Sequence, residues 1–244
     1  MARIFITGST DGLGQLAAIL LIEKGHRVVL HARNTERGYE ALKKVPGAEN
    51  VITGDLSVIE RTIGLADRVN ALGSFDAVIH NAGVYRAPAE NIFKVNTLAP
   101  YILTCLIQKP KRLIYLTSGM HLQGHSKLEL FKNDISRITY SDSKLHVVML
   151  CKAVSRRWPG VYANAVNPGW VPTKMGGPGA PDNLQKGYET QVWLAASNDE
   201  KAQVTGQYFY QQKILRCNPE ANDVMLQDKF LAVCKEITGI SFPK

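Results

Sequence analysis

The 244-residue sequence has no apolar run long enough to cross a bilayer, and no repeat, low-complexity tract or linker-like stretch. Those absences exclude a membrane span and a solenoid. Its four cysteines, Cys105, Cys151, Cys217 and Cys234, show no CxxC and no metal-ligand spacing, which excludes a zinc ribbon and a dithiol redox pair. Cys105 and Cys151 lie in apolar stretches and read as buried free thiols, suited to a reducing compartment. The six histidines lack converging carboxylates. His121 and His125 are four apart but stand alone, so no metal site is expected. Lys and Arg outnumber Asp and Glu by 29 to 21, yet the basic residues are scattered. The nearest clusters are Lys109, Lys111 and Arg112, with Arg156 and Arg157 elsewhere. A nucleic-acid surface needs clustered charge or stacking aromatics; with neither, no nucleic-acid partner is expected, while the positive field can help recruit an anionic cofactor. No signal peptide precedes Ile4-Phe5-Ile6, so the expected location is cytoplasmic and no membrane partner is expected.

What is present is an alternation of strand and helix patterns. Hydrophobic residues make up 45% and charged residues 20% of the chain, the balance of a folded globular protein. Strands are predicted at Arg3–Thr7, Arg27–His31, Val51–Thr53, Asp76–His80, Arg112–Thr117, Val161–Val166 and Gln207–Tyr210. Helices are predicted at Gly12–Lys24, Glu36–Lys44, from a Ser57 cap to about Leu72, at Asn91–Ile107 with an interruption at Pro100, and at Thr139–Arg157. Two more follow at Leu184–Ala196 and Asn222–Thr238. This order implies right-handed βαβ units, and the continuously apolar strands imply a sheet covered on both faces. The expected fold class is α/β: a doubly wound, mostly parallel Rossmann-type sheet of about seven strands. One domain, 1–244, is expected, with a substrate loop at about 172–190 and a C-terminal helix at about 222–238.

Ligands of such sheets sit at the carboxyl ends of the strands, where the distinctive motifs fall. Strand one ends in Gly8-Ser9-Thr10-Asp11-Gly12-Leu13-Gly14. Its GxxxGxG spacing lets the backbone turn tightly and bring a helix N-terminus to a phosphate; alone it could also be a plain strand–helix turn. Strand two ends in His31-Ala32-Arg33-Asn34. An Arg there accommodates a 2′-phosphate, so Arg33 favours NADP(H), with NAD(H) possible. Asp55, in Gly54-Asp55-Leu56, reads equally well as an adenine contact and as a turn residue.

Tyr140 and Lys144 are i and i+4 on a predicted helix, one turn apart on one face. A cation beside a phenol is expected to lower the tyrosine pKa toward physiological pH, making Tyr140 a proton donor and acceptor at a carbonyl or alcohol oxygen. Ser118, at the end of strand five, can orient that oxygen. The hydride would come from a nicotinamide bound at the glycine turn. YxxxK alone is common in helices; the order and combination carry the signal.

These motifs together resemble the short-chain dehydrogenase/reductase family, single-domain branch, to about Thr173 and more loosely beyond. Thr7–Gly14 resembles its TGxxxGxG. Asn81-Ala82-Gly83 resembles its NNAG, with His80 replacing the first Asn. Ser118, Tyr140 and Lys144 match its catalytic Ser and YxxxK, and Asn96 its helix Asn. Asn167-Pro168-Gly169 with Val171 and Thr173 resembles its nicotinamide-contacting segment. Asp55-Leu56 matches its adenine-contacting pair, and His31–Asn34 is similar to the NADP-type turn of carbonyl-reductase-like and retinol-dehydrogenase-like members. The resemblance implies that Tyr140 is the general acid/base and that Lys144 lowers its pKa and binds the nicotinamide ribose. It implies that Ser118 stabilises the reacting oxygen and that Asn96 holds a relay water. The implied activity is NADP(H)-dependent oxidoreduction of a carbonyl or alcohol, the alternative being a non-catalytic NADP(H)-binding sensor or interaction protein. Asp11 stands where many NADP-dependent members carry a basic residue. The stretches Gly83–Asn96 and Asn96–Ser118 are short for the family, which leaves monomer or homo-oligomer undecided.

Tyr85, Met120 and Trp170 adjoin these motifs and read equally as substrate wall or as packing. His121 is a further candidate for the cleft wall. Trp193 reads as core or interface packing, and the segment Met175–Pro181 as a mobile lid or a rigid turn.

Overall fold

The computed structural model describes residues 1–243. Its sheet runs in the order β3-β2-β1-β4-β5-β6-β7-β8. The strands are β1 (Arg3–Ile6), β2 (Arg27–Ala32), β3 (Asn50–Thr53), β4 (Ala77–His80), β5 (Arg112–Leu116), β6 (Tyr162–Asn167), β7 (Tyr208–Tyr210) and β8 (Lys213–Leu215). All neighbours pair in parallel except β7 and β8. The order reverses between β1 and β4, so a crevice opens above the ends of those two strands.

The strands are apolar throughout because each side chain meets a covered face. Ile4 and Ile6 of β1, with Val28 and Leu30 of β2, enter the core beneath α1 (Gly12–Glu23) and α8 (Leu184–Ala196). Phe5 and Val29, one residue out of phase, enter the opposite core with α3 (Ile59–Ala71), α5 (Ala99–Leu106), α7 (Tyr140–Arg157) and α9 (Val224–Thr238). The period of two along each strand thus divides one apolar run between two cores. α2 (Thr35–Lys44) lies beside β2 and β3, and a single turn, α6 (Leu130–Asn133), precedes α7. Among the described residues no helix is long and apolar enough to cross a membrane.

The predicted strands are all present, and β8 is an eighth. Its residues are exposed, and its hairpin turns on Gln211 and Gln212, at φ 47° and 61°. Two consecutive left-handed residues are usually announced by Asn or Gly; a Gln-Gln pair gives no such sign. Ser57 does not cap α3. Its hydroxyl donates to Asp55 Oδ1 at 2.7 Å, and the helix begins two residues on. The final helix begins at Val224, two residues after the predicted start, and is capped by Asp223.

The helix expected to break at Pro100 is instead continuous but widened. α4 (Ala89–Ile92) passes through a π-helical turn, Phe93–Leu98, into α5. A proline in a regular helix clashes with the carbonyl four residues back and gives it no N–H. The π turn shifts the bonding just before Pro100 to a span of five residues, Ala99 N–H donating to the Lys94 carbonyl.

Candidate active site

The chain between β1 and α1 turns on two left-handed glycines, Gly8 at φ 63° and Gly12 at φ 54°. A Cβ on Gly8 would lie 2.8 Å from the Ala82 Cα, and one on Gly14 would overlap the Asn81 side chain. The Asn81 amide donates to the carbonyls of Thr7 and Gly8, both at 3.0 Å. Gly8 N–H donates to His31 Nδ1 at 3.0 Å, and His31 Nε2 donates to the Gly54 carbonyl at 2.8 Å. Burial pushes the His31 pKa down to about 4, so this tie between the turn and β3 is made by a neutral ring. Ser9 belongs to the same scaffold. It is buried, donating to the Ile6 carbonyl and accepting from His31 N–H, both at 2.9 Å, and does not face the crevice.

Beyond the turn lies a cleft of about 510 Å³. Gly8, Asp11, Gly12 and Leu13 line one side, Arg33, Asp55 and Leu56 another, and Asn81, Ala82 and Gly83 its floor. Asn34 does not line it: its side chain caps α2, accepting from Arg37 N–H at 3.0 Å. Arg37, which sequence reasoning missed, does line it. Arg37 Nη2 reaches Asp11 Oδ2 at 2.8 Å and Thr10 Oγ1 at 3.0 Å, and Lys174 Nζ approaches the same carboxylate at 3.4 Å. Asp11 is therefore flanked by two cations. The only sequence sign of Arg37 was its place in the first turn of the helix that follows Arg33. Asp55 takes both the N–H and hydroxyl of Ser57 on Oδ1. Burial raises its pKa, but these bonds and the charges of Arg33 and Arg61 outweigh that and hold it below the ordinary carboxylate range.

A second cleft, of about 620 Å³, opens on the other side of Tyr140. Leu13, Thr117, Tyr140, Pro168, Thr173 and Met175 line both clefts. The second also receives Ser118, Gly169 and Val171, the exposed side chains of Tyr85, Met120, Trp170 and Met175, and the polar Arg86, Asp182 and Tyr210. Tyr85, Met120 and Trp170 are thus wall residues. Trp193 instead packs beside Phe209, with ring centres 5.7 Å apart. The segment after Trp170 is tied down at several points. Trp170 Nε1 donates to the Gly176 carbonyl at 2.8 Å, Gly177 N–H to the Thr173 carbonyl at 2.8 Å, and Trp170 N–H to Asp182 Oδ2 at 2.6 Å.

Tyr140 is the first residue of α7, held by a capping box in which Thr139 Oγ1 accepts from Asp142 N–H and Asp142 Oδ2 accepts from Thr139 N–H. Lys144, one turn on, is buried. Its Nζ donates to the Leu116 carbonyl at 3.0 Å and lies 5.5 Å from the Tyr140 ring centre. The rings of Tyr85 and Tyr140 pack edge to face, their centres 4.7 Å apart. Ser118 starts a short 3₁₀ turn, Gly119–Gln123, its Oγ accepting from Met120 N–H. Asn96 is buried. Its Oδ1 accepts from Val84 N–H at 2.8 Å, and its Nδ2 donates to the Val84 carbonyl and to Ser143 Oγ.

The electrostatics correct one expectation. Burial pushes the Tyr140 pKa up to about 12, with Ser118 opposing and Tyr85 reinforcing the rise. Lys144 does not depress it. Its own burial brings its pKa down to about 8, and its nitrogen is bonded to Leu116 rather than to the phenol. His121 corrects another. It is fully buried beneath the Ser118 turn and does not line the cleft. Among the described residues no group of three or more His, Cys, Asp or Glu is placed to hold a metal.

Residues 2–183 match the model of the short chain dehydrogenase family. An uncharacterized oxidoreductase of Emericella nidulans is 45% identical over the whole chain and 99% of its own length. Among solved structures, an uncharacterized protein from Mycobacterium paratuberculosis superposes with a TM-score of 0.84 at 21% identity, covering all of this chain and 96% of that one. A short chain dehydrogenase from Shigella flexneri complexed with NADP gives 0.67 at 21% identity, covering 87% and 97%. These structural likenesses establish the fold.

Proposed function

The chain belongs to the short-chain dehydrogenase family and is an oxidoreductase of CH–OH groups; on that premise we propose that it is NADP(H)-dependent and uses Tyr140 as its proton-transfer group. The observation that carries this reading is the place of Tyr140 on the wall between two clefts, with Lys144 on the side of the glycine turn and Ser118 on the other.

The first cleft fits a dinucleotide. Two left-handed glycines and the close Gly8–Ala82 approach leave a cradle that any Cβ on Gly8 would crowd, and the N-terminus of α1 faces it. Arg33 and Arg37 supply cations for a 2′-phosphate, with Asp55 and Leu56 beside the adenine end. Pro168 and Thr173, which line this cleft, would flank the nicotinamide end, with Gly169 and Val171 of the same loop on the second-cleft side. A nicotinamide bound here would supply the hydride for reduction and take it up in oxidation.

In reduction Tyr140 gives its phenolic proton to the substrate oxygen, and in oxidation it takes one back. A phenol held near 12 is protonated at neutral pH, the form that reduction needs. Ser118 donates to the same oxygen. With Lys144 near 8, most of its population is an ammonium at pH 7, a proton source behind the phenol. The Asn96 amide is occupied, and Pro100 denies the Asn96 carbonyl its ordinary helical N–H. That carbonyl, not the side chain, is the acceptor a relay water would use.

The second cleft, walled by Tyr85, Met120, Trp170 and Met175, suits a hydrophobic ketone, aldehyde or alcohol. We read the chain as one nucleotide-binding domain. Its free cysteines fit a reducing compartment such as the cytoplasm. The test is titration of the purified protein with NADPH and NADH by nicotinamide fluorescence, followed by a panel of apolar carbonyls. Tighter NADPH binding with turnover is expected. Binding without turnover supports the sensor alternative, and no binding overturns the cofactor assignment.

A further inference from the structure

We propose that His121 and Asn218 form a latch that holds the Ser118 turn against Tyr140, which makes His121 a positioning residue for the hydroxyl that meets the substrate. The latch is geometric whatever the reaction; its effect on catalysis rests on the function proposed above.

The His121 ring is fully buried and bridges two backbone segments. Its Nδ1 lies 2.7 Å from the Ser118 carbonyl, which can only accept, so Nδ1 carries the proton. Its Nε2 is then an acceptor, and Asn218 N–H donates to it at 3.3 Å. One neutral tautomer satisfies both bonds. The Ser118 carbonyl also receives His121 N–H at 3.1 Å. The ring of Tyr208 of β7 packs against the imidazole at a tilt of 59°, ring centres 4.6 Å apart.

Asn218 closes the other side. Its Nδ2 donates to the carbonyls of His121 at 3.2 Å and Gly124 at 2.9 Å, with Leu122 at 3.4 Å. Its Oδ1 accepts from Glu220 N–H, so the same side chain also shapes its own segment. Gly124, where this grip ends, packs so closely on the backbone of Ser141 that a Cβ there would overlap the Ser141 carbonyl. Ser141 is the residue after Tyr140. The chain from Ser118 to Gly124 is thus clamped between the C-terminal segment and the first turn of α7. The two hydroxyls that must converge on one oxygen sit at its two ends. Buried polar ties of this kind fix a geometry, since opening the contact leaves the fully buried imidazole nitrogens without a partner.

The decisive test is a double-mutant cycle of His121→Phe with Ser118→Ala. A positioning role predicts that H121F lowers kcat about 10-fold, leaves NADPH affinity within about 2-fold, and costs nothing further in the S118A background. His121→Asn, which keeps a donor near the Nδ1 position, should recover part of the loss. Equal losses in both backgrounds, or an unchanged kcat in H121F alone, overturn the proposal. Amide hydrogen exchange in H121F should quicken at residues 118–124 and 218–222 and nowhere else; unchanged protection there also overturns it. N218A reads out the same cycle if H121F does not fold. A wild-type protein that turns over no carbonyl retires the proposed function and the catalytic part of this inference, while the exchange result still decides whether the latch exists.

Discussion

Lys144 holds its ammonium 5.5 Å from the centre of the Tyr140 ring and spends its hydrogen bond on the Leu116 carbonyl. Burial, unopposed by that ammonium, holds the phenol's pKa at about 12, so it keeps its proton in the unliganded protein. The expected consequence is a directional asymmetry with pH. Reduction, which uses the protonated phenol backed by the Lys144 ammonium, should be level up to about pH 7 and fall as pH passes about 8, whereas oxidation should climb with pH across that range. Tyr140→Phe should lower both by about 10²–10⁴-fold with cofactor binding intact. Parallel pH profiles for the two directions, or a Y140F protein that retains turnover, would remove Tyr140 from the chemistry.

The same lysine should weaken the fold. Its pKa is lowered by burial from 10.5 to about 8, so the folded state binds its proton less well than the unfolded chain. The resulting penalty is full below about pH 8 and fades as pH rises toward 10.5. Lys144→Met should raise the urea midpoint at neutral pH by an amount worth about 1–3 kcal/mol, a gain that shrinks in alkali, while turnover is lost. A K144M protein less stable than wild type at pH 7 would show that the ammonium is better solvated than its burial implies.

Asp11 and Arg37 form an ion pair at the mouth of the first cleft, with Lys174 beyond. If Arg33 and Arg37 meet a 2′-phosphate, R33A and R37A should each weaken NADPH about 10-fold or more and leave NADH nearly unchanged. Asp11→Asn, which releases both cations, should tighten NADPH a few-fold, about 3-fold, at low salt and less at high salt. Isothermal titration at two ionic strengths measures this. Equal effects on both cofactors would place the phosphate elsewhere.

Gly14 lies against the Asn81 amide and the Gly8 carbonyl. Both neighbours are pinned, Asn81 by its bonds to Thr7 and Gly8. Gly14→Ala should therefore cost about 1–3 kcal/mol by overpacking and open the glycine turn. Thermal melts and NADPH titration should fail together. A protein that melts as wild type but binds no cofactor would point to a local effect at the phosphate alone.

Much of this was legible because a parallel sheet covered on both faces writes continuous apolar runs, and because caps and glycine turns are local. The run Val28-Val29-Leu30 reads as a strand, and Gly8 and Gly12 sit where the backbone is left-handed. Ser118, Tyr140 and Lys144 were legible as a set, and the structure brings them together. What was hidden depends on partners distant in sequence. Ser9 and Asn34 have the right positions, yet their oxygens are taken by backbone groups. Arg37 gains its place from helix phase and from Asp11. His121 lies beside the cleft but turns inward, because Asn218, 97 residues away, completes its bonds. The Tyr140 pKa depends on burial that no i, i+4 spacing reveals.

The wall common to both clefts has a kinetic meaning. Leu13, Pro168, Thr173 and Met175 are touched from either side, so a molecule filling one space sets the shape of the other. In the proposed reaction a substrate in the second space and a nicotinamide in the first would meet where the two spaces join beside Tyr140, because hydride transfer needs direct contact. An inhibitor long enough to pass Tyr140 would compete with both ligands at once, and one confined to the second cleft would bind differently to the loaded and the empty protein.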